Sequence, residues 1–356
     1  MSAVQPSLAN LKDDGEIRSY PCPNCYVCGA IGEPLYKGLG DRLFEASGKW
    51  DLKRCVEPRC GLIWLDPMPF EQDIEKAYTT YYTHQELPAP HETLARLVYR
   101  KIQEGYLASK YGYRFPRGRI RGPLLGALMY LYPGGRARTD FSVFYLPSAP
   151  GGSLLDVGCG GGAMLMRMHG LGWNVEGVDF DAQAVRTARA KGLKVQLGTI
   201  EEQKFPRDSF DAVTMSHVIE HVPDPIALLR ECYRILKPGG RAVVVTPNAN
   251  SWGHRVYADN WRGLEPPRHL HIFSVGSLKA ATRAAGFQKV RVSTTIRDTN
   301  NSFIASRSLE RSGTHDMRAR QPQVTHAWGY VMQAMEWVLL GLDREAGEEI
   351  AVIAQK

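Results

Sequence analysis

An α/β fold, a parallel sheet with helices on its faces, is what this 356-residue chain predicts, and three observations carry the expectation. From Ser153 onward, short apolar segments alternate with helix-length segments, the pattern of strands joined by crossover helices. The first strand runs into LLDVGCGGGAML (Leu154–Leu165), where Gly158, Gly160, Gly161 and Gly162 lie so close together that the main chain itself must be a binding surface. A second buried strand, NVEGVD, ends in Asp179, an acid suited to accept hydrogen bonds from two ribose hydroxyls.

At the front, five of the seven cysteines (Cys22, Cys25, Cys28, Cys55 and Cys60) fall within the first sixty residues. No basic stretch followed by an apolar core precedes them, so the clustering points to a metal before disulfides. Zinc takes four thiolates from two knuckles whose paired ligands are about two to four residues apart. Cys25 with Cys28 and Cys55 with Cys60 are the expected ligands. A glycine follows Cys28 and another follows Cys60, easing the turn around the metal, whereas Tyr26 follows Cys25 and leaves Cys22 spare. Unligated thiols and an iron–sulfur cluster are the alternatives. A closed four-thiolate site is structural, so residues 18–70 are expected to fold as a zinc-binding module that takes no direct part in chemistry.

Residues 71–147 read as a helical connector that caps the site, with helical spacing through Leu94, Leu97, Val98 and Ile102. The formal charge of +7 is concentrated here, since residues 91–140 hold ten Lys or Arg against three acids. RGRIRG abuts PLLGALMYLY, and residues 117–132 are expected to form a basic face beside a core helix, or a peripheral contact with a membrane or a lipid-linked acceptor. No nucleic-acid motif is interleaved with these basic residues, which argues against nucleic acid as a partner. No run of about 18 apolar residues appears, so the expectation is a cytoplasmic protein without a membrane span.

The remaining elements follow in order. Strands are expected at Ser153–Val157, Asn174–Asp179, Val195–Leu197, Phe210–Met215, Arg241–Thr246 and Lys289–Ile296, with helices between them. Asp181 reads as a helix cap. Asp224 and Pro225 open a helix that ends at a turn over Lys237–Gly240, with Cys232 in the core. Trp328, Val331, Met332, Met335, Val338, Leu339 and Leu342 recur at helical spacing, a stripe expected to pack inward. Asn300–Thr325 reads as a polar surface excursion near the mouth of the site.

The glycines alone fit two patterns. Gly158, Gly160 and Gly162 give G-x-G-x-G, while Gly158, Gly160 and Ala163 satisfy the dinucleotide pattern G-x-G-x-x-G/A. The later blocks decide: FDAVTMSHVIEHVPDP (Phe210–Pro225), LKPGG (Leu236–Gly240), TPN (Thr246–Asn248) and PPRHLHIFS (Pro266–Ser274). As an ordered set over roughly Ser153–Arg297, they resemble the class I S-adenosylmethionine (SAM) methyltransferases of the small-molecule type, similar to the ubiquinone and sugar O-methyltransferases. The resemblance implies a Rossmann-like seven-stranded sheet over residues 148–356, mostly parallel with a last antiparallel strand at Glu349–Ala354, and an insertion at 297–345 before it. Many bacterial relatives of this type carry a cysteine module ahead of the core.

The resemblance also implies SAM as cofactor and a hydroxyl of a small molecule, or of a glycosyl or lipid-linked acceptor, as the methyl recipient. Asp156, Gly158, Cys159, Gly160, Gly161 and Gly162 would surround the methionine part, Asp179 would hold the ribose and Phe180 would cover the adenine edge. Thr199, Ile200 and Glu201, at the third strand's exit, would meet the adenine, and Ser216 closes the fourth strand.

A hydroxyl acceptor benefits from a base, and histidine titrates in the right range. His217 ranks first and His269 second among four candidates that include His221 and His271. His217, Glu220 and His221 have i, i+3, i+4 spacing, which could set three metal ligands on one helical turn. Related ubiquinone-pathway enzymes resemble this with an E-x-x-E-H set, from which the chain departs by placing His217 at the first acid. Competing readings are methylation of RNA or protein, recruited by the module and the basic segment, and an NAD-dependent oxidoreductase. The sequence does not predict an oligomeric state.

Overall fold

Short antiparallel strands build the cysteine-rich front: β1 (Ser19–Tyr20), β2 (Gly32–Leu39), β3 (Trp50–Cys55), β4 (Ile63–Leu65) and β5 (Met68–Pro69). β2, β3 and β4 form an antiparallel meander in the register Gly32↔Cys55 and Leu52↔Leu65, and β1 pairs with β5. Trp50, Leu52, Ile63, Trp64 and Leu65 are buried, giving a small segment a core of its own. The computed structural model of the protein describes residues 16–78, 93–115, 122–317, 319 and 321–356. Residues 117–121 of the basic run therefore lie outside the described residues.

The expected connector helices are present as α1 (Leu94–Tyr111), α2 (Gly122–Ala127) and α3 (Pro133–Phe141). Thr93 caps α1 by accepting the Arg96 N–H, and Gly112, in the left-handed region, ends it. Tyr106, Leu107, Tyr113, Met129, Val143 and Phe144 share one core with Leu154, Leu165, Met168, Trp173 and Val185. The connector is thus built into the core beneath the glycine turn. Among the described side chains of 124–132, Gly126 and Met129 are buried, whereas Leu124 and Leu131 are 73% and 81% exposed, so this stretch is not the core helix one reading of the sequence expected.

Next come β6 (Ser153–Val157), α4 (Ala163–Gly170), β7 (Asn174–Asp179), α5 (Ala182–Ala190), β8 (Val195–Leu197), β9 (Phe210–Ser216), α6 (Pro225–Ile235) and β10 (Leu236–Pro247). The last third adds α7 (Trp252–Tyr257), β11 (His271–Ile272), α8 (Val275–Ala284), β12 (Lys289–Thr295), α9 (Thr299–Ser312), α10 (Gln323–Leu339) and β13 (Glu349–Gln355). The strand order of the main sheet is β12-β13-β10-β9-β6-β7-β8. β6 pairs parallel with both β7 and β9, so the order reverses at β6, which opens a crevice beyond the strand ends. β13 runs antiparallel to β10, since Lys356 pairs with Gly240 at one end and Glu348 with Asn248 at the other. Asp181 caps α5 and Asp224 caps α6, as expected.

Three expectations are corrected. Lys237–Gly240 is not a turn closing a helix but the opening of the long β10, where Gly239 takes a φ of +82° and its N–H donates to Lys356. Asn300–Thr325 is not a surface excursion, because α9 buries Thr299, Asn300, Ser302, Phe303, Ile304 and Leu309. The apolar stripe of α10 does not all pack inward: Val331, Met335, Val338 and Leu342 face solvent, and the buried residues are Gly329, Gln333 and Glu336. Polar groups turn inward there because they have partners. Gln333 Nε2 donates to the Ile296 carbonyl at 2.7 Å, and Thr299 Oγ1 donates to Glu336.

Contacts divide the chain into two compact units. One gathers the described residues before 83 with 216–230 and 244–352; the other gathers the described residues of 83–215 with 231–243 and 353–356. β11, from the PPRHLHIFS motif, pairs His271↔Trp64 with β4 and becomes the fourth strand of the cysteine module's sheet. Among the described residues, no helix is long and apolar enough to cross a membrane.

Candidate functional site

In the second unit the turn after β6 needs its glycines, since Gly158, Gly160 and Gly162 all have positive φ, at +69°, +54° and +79°. A Cβ on Gly162 would lie 2.3 Å from Leu193 Cδ1, so bulk is excluded as well as conformation. The Gly158 and Cys159 N–H groups donate to the Val178 carbonyl at 2.8 and 3.3 Å. Asp179 then clamps the turn: one carboxylate oxygen accepts the Gly160 N–H at 2.8 Å and the other accepts the Asp181 N–H at 2.9 Å.

Asp156 sits lower. Its side chain is buried beneath the turn and accepts the Thr214 hydroxyl at 2.7 Å. Burial pushes its carboxyl up to about 7, with the Thr214 bond opposing and the Asp179 charge adding to the rise. Cys159 is buried, with its sulfur against Gly177, while Phe180 stands 58% exposed at the tip of β7. After β8, Thr199 and Glu201 are exposed and Ile200 is buried. Glu202 accepts the Thr199 N–H at 2.8 Å and closes this turn. Ser216 is half-buried as the last residue of β9.

The first unit carries the histidines. His217 adopts a φ of +55°, a left-handed conformation that a bulky residue seldom takes, and its N–H donates to Val245 at 2.8 Å. Its Nδ1 lies 3.2 Å from Glu220 Oε1 and its Nε2 lies 2.8 Å from Glu349 Oε1. Arg297 binds the same Glu349 through Nε at 2.7 Å. Enclosure of the ring opposes its charge, but the Glu220 and Glu349 carboxylates outweigh this and lift His217 to about 9. Arg297 Nη2 stands 3.0 Å from the same Nε2, so both ring nitrogens are engaged, and action as a base requires the ring to release a partner. Neither Glu349 nor Arg297 was found by sequence reasoning.

His269 is buried, and its Nδ1 donates to the Gly263 carbonyl at 2.7 Å. Burial holds it down to about 4, so it is neutral with a lone pair on Nε2. His221 presents Nδ1 to the Arg268 carbonyl and to Tyr78 Oη, each at 3.0 Å. The His221 and His269 rings meet edge to face at 4.8 Å. Glu220, fully buried, accepts the Thr246 hydroxyl through Oε2 at 2.9 Å, and its Oε1 faces His217 Nδ1 at 3.2 Å. One ligand atom each from Glu220, His221 and His269 lies within 4.8 Å of the others. His271 lies instead in the module's sheet, with Nε2 3.4 Å from the Pro223 carbonyl.

Arg268, between these histidines in sequence, is fully buried and structural. It forms a two-pronged pair with Asp41 at 2.8 and 2.9 Å and a third contact with Glu265 at 3.0 Å. Asp41 in turn accepts the N–H groups of Leu43, Phe44 and Ala46.

Cys25, Cys28, Cys55 and Cys60 converge as the spacing predicts, all four sulfurs lying within 4.8 Å of one another. Cys25 to Cys60 is 3.6 Å and Cys28 to Cys55 is 3.3 Å. Four sulfurs at about 2.3 Å from a tetrahedral metal stand roughly 3.8 Å apart, which the cluster approaches. Gly29 and Gly61, just after the second ligand of each knuckle, have positive φ of +78° and +59°. Cys22 lies outside the cluster.

A family described as "Methyltransferase domain" matches residues 135–292. A ubiquinone biosynthesis O-methyltransferase of Idiomarina loihiensis is 32% identical over 171 residues, covering 44% of this chain and 70% of that protein. The chain belongs to the class I SAM-dependent methyltransferases. A ubiquinone biosynthesis O-methyltransferase of Xanthomonas oryzae pv. oryzae is 41% identical over 105 residues, 28% of this chain, and the match spans 44% of that relative's length. Among solved structures, a SAM-dependent methyltransferase from Archaeoglobus fulgidus aligns over 63% of this chain and 92% of its own, with 21% identity and a TM-score of 0.42.

Proposed function

We propose that this protein transfers a methyl group from SAM to a hydroxyl of a small molecule, or of a glycosyl or lipid-linked acceptor. The observation that carries the reading is the glycine turn clamped by Asp179 where the strand order reverses, the place where open α/β sheets bind ligands. The Gly158–Gly162 main chain would line the methionine part, with Asp156 and Cys159 shaping the turn from below. Asp179 would take the ribose hydroxyls, and Phe180, Thr199, Ile200 and Glu201 would border the adenine, with Ser216 beside the methyl.

Bound SAM supplies a methyl on a sulfonium leaving group: the acceptor oxygen bonds to the methyl carbon as the carbon–sulfur pair passes to sulfur. The protein's task is alignment, exclusion of water and removal of the hydroxyl proton. His217 would act once Nε2 leaves Glu349, whereas His269 is the neutral ring, its Nε2 3.9 Å from Glu265 Oε2. The outward Leu124, Leu128 and Leu131 support a lipid-linked acceptor. The four thiolates would hold a structural zinc ion, which their softness and closed arrangement favour.

Calorimetry with SAM and NAD on the full chain tests the cofactor. SAM is expected to bind one per chain and NAD not at all, and Asp179→Ala is expected to weaken SAM by at least tenfold. Saturable NAD binding without SAM binding would replace this reading with the oxidoreductase one.

A further inference from the structure

Helix α10 is the reverse of an ordinary surface helix, which turns charged side chains to water and an apolar stripe to the core. Its inner face carries Gly329, Gln333 and Glu336. A Cβ on Gly329 would stand 2.9 Å from the Asn300 carbonyl of α9, while Gln333 and Glu336 are bonded to the Ile296 carbonyl and to Thr299. These contacts fix the rotation of the helix about its axis, so its apolar face cannot roll inward. That face is regular. Val324, Val331 and Val338 recur at every seventh residue and are 80%, 57% and 61% exposed. Ala327 and Ala334, also exposed, fall between them in alternating steps of three and four residues.

We propose that this face binds its own counterpart on a second copy of the chain, α10 against α10 about a twofold axis. Three observations favour this partner. The first is the spacing: the valine and alanine rows form a heptad seam, the pattern by which two helices interlock, and β-branched residues along one row favour pairs. In an antiparallel pair Val331 lies opposite the partner's Ala334 and Val338 opposite the partner's Ala327. Each valine then meets a small side chain, and the two backbones approach closely.

The second is charge. Glu336 is the one Asp, Glu, Lys or Arg between Gln323 and Leu342, and it faces inward. A twofold contact sets a patch against itself, so any charge near the axis would repel its own copy, and this face carries none. Helices that lie on membranes bear Lys and Arg on their polar side, which α10 lacks. The third is area. With Met335, Trp337 and Leu342, each about half exposed or more, the face amounts to roughly 700 Å2, above the ~300–600 Å2 of the largest apolar patch on a typical monomer and near the ~800 Å2 per partner of a stable interface.

A second copy would also brace the flank of the site, since α10 holds Ile296 and Thr299 on either side of Arg297, the residue paired with Glu349. That consequence rests on the methyl-transfer reading; the pairing of copies does not.

The test is analytical ultracentrifugation of the full chain, purified without chelator and without SAM, from sub-micromolar to high micromolar concentration. A monomer–dimer equilibrium is expected. Val331→Glu and Val331→Lys, at an exposed position, should each weaken the dimer at least a hundredfold. Mixing the two variants should restore association to within tenfold of the parent, because opposite charges then meet across the seam. Leu124→Glu, on the exposed apolar stretch of α2, should change the dimer less than threefold. Ala334→Glu gives a second reading of the same seam, and thermal melts establish that each variant folds. A parent that stays monomeric over the whole range, a dimer that survives both Val331→Glu and Ala334→Glu, or a Glu and Lys mixture that fails to associate overturns the proposal. So does a monomer that binds phosphatidylcholine vesicles and loses them with Val331→Glu, which would give the face to a membrane. Because SAM is absent from every measurement, these outcomes are separate from the cofactor test.

Discussion

Replacing Asp156 by Asn should stabilise the second unit in alkaline solution while weakening the cofactor. Burial raises the Asp156 carboxyl from 3.8 to about 7, a difference of about three units. At ~1.4 kcal/mol per unit, the ionised side chain costs the fold roughly 4 kcal/mol relative to the protonated one. Because the folded value exceeds the unfolded one, the folded state binds the proton more tightly. The contribution is fully present below pH 4, is lost as pH climbs to about 7, and is flat beyond. Asn stays neutral throughout and can still accept the Thr214 hydroxyl. Hydrogen exchange on β6 and β9 peptides, measured in graded urea from pH 4 to 8, reports this unit directly. Parent and variant should match at pH 4, and the variant should gain about 1.4 kcal/mol per pH unit up to neutrality. The same change removes a negative charge that a sulfonium and an ammonium would favour, so SAM affinity should fall at pH 8. A stability difference independent of pH, or a less stable variant at pH 8, would refute the reasoning.

Cys28→Ser should release about one equivalent of metal and lower the melting temperature of β2–β4, read by elemental analysis beside thermal melts. Arg268→Met leaves Asp41 and Glu265 buried without their counter-charge and should cost about 3–5 kcal/mol in chemical denaturation, with a double variant that also carries Asp41→Asn recovering part of the loss.

What could be read from sequence was local. The glycine turn, the strand-end Asp179, the caps at Asp181 and Asp224 and the cysteine knuckles follow rules that act within a few residues, and the structure keeps them all. The partners of His217 were not legible, because Glu349 enters from the antiparallel strand at the far end of the chain. Nor was the role of Arg268, whose partner Asp41 lies in the cysteine-rich front. Helix α10 misled for a related reason: periodicity locates an apolar face but not which face a fold will bury. Here the buried face is polar instead, with Gln333 donating to the Ile296 carbonyl and Glu336 accepting from Thr299. Helical spacing likewise pointed to His217 and Glu220 meeting, which they do at 3.2 Å, but not to the left-handed backbone that aims Nε2 of the same ring at Glu349.

The cysteine module shares its sheet with β11, so it is not an appendage that could be cut away or exchanged like a cassette. Removing the chain up to the end of β5 would strip His271 and Ile272 of their partners Trp64 and Ile63 and leave the PPRHLHIFS strand as a raw edge, with His269 on its approach. Stripping a metal from the four thiolates would therefore be read at β11 and at the histidines beside it, and not in the front strands alone.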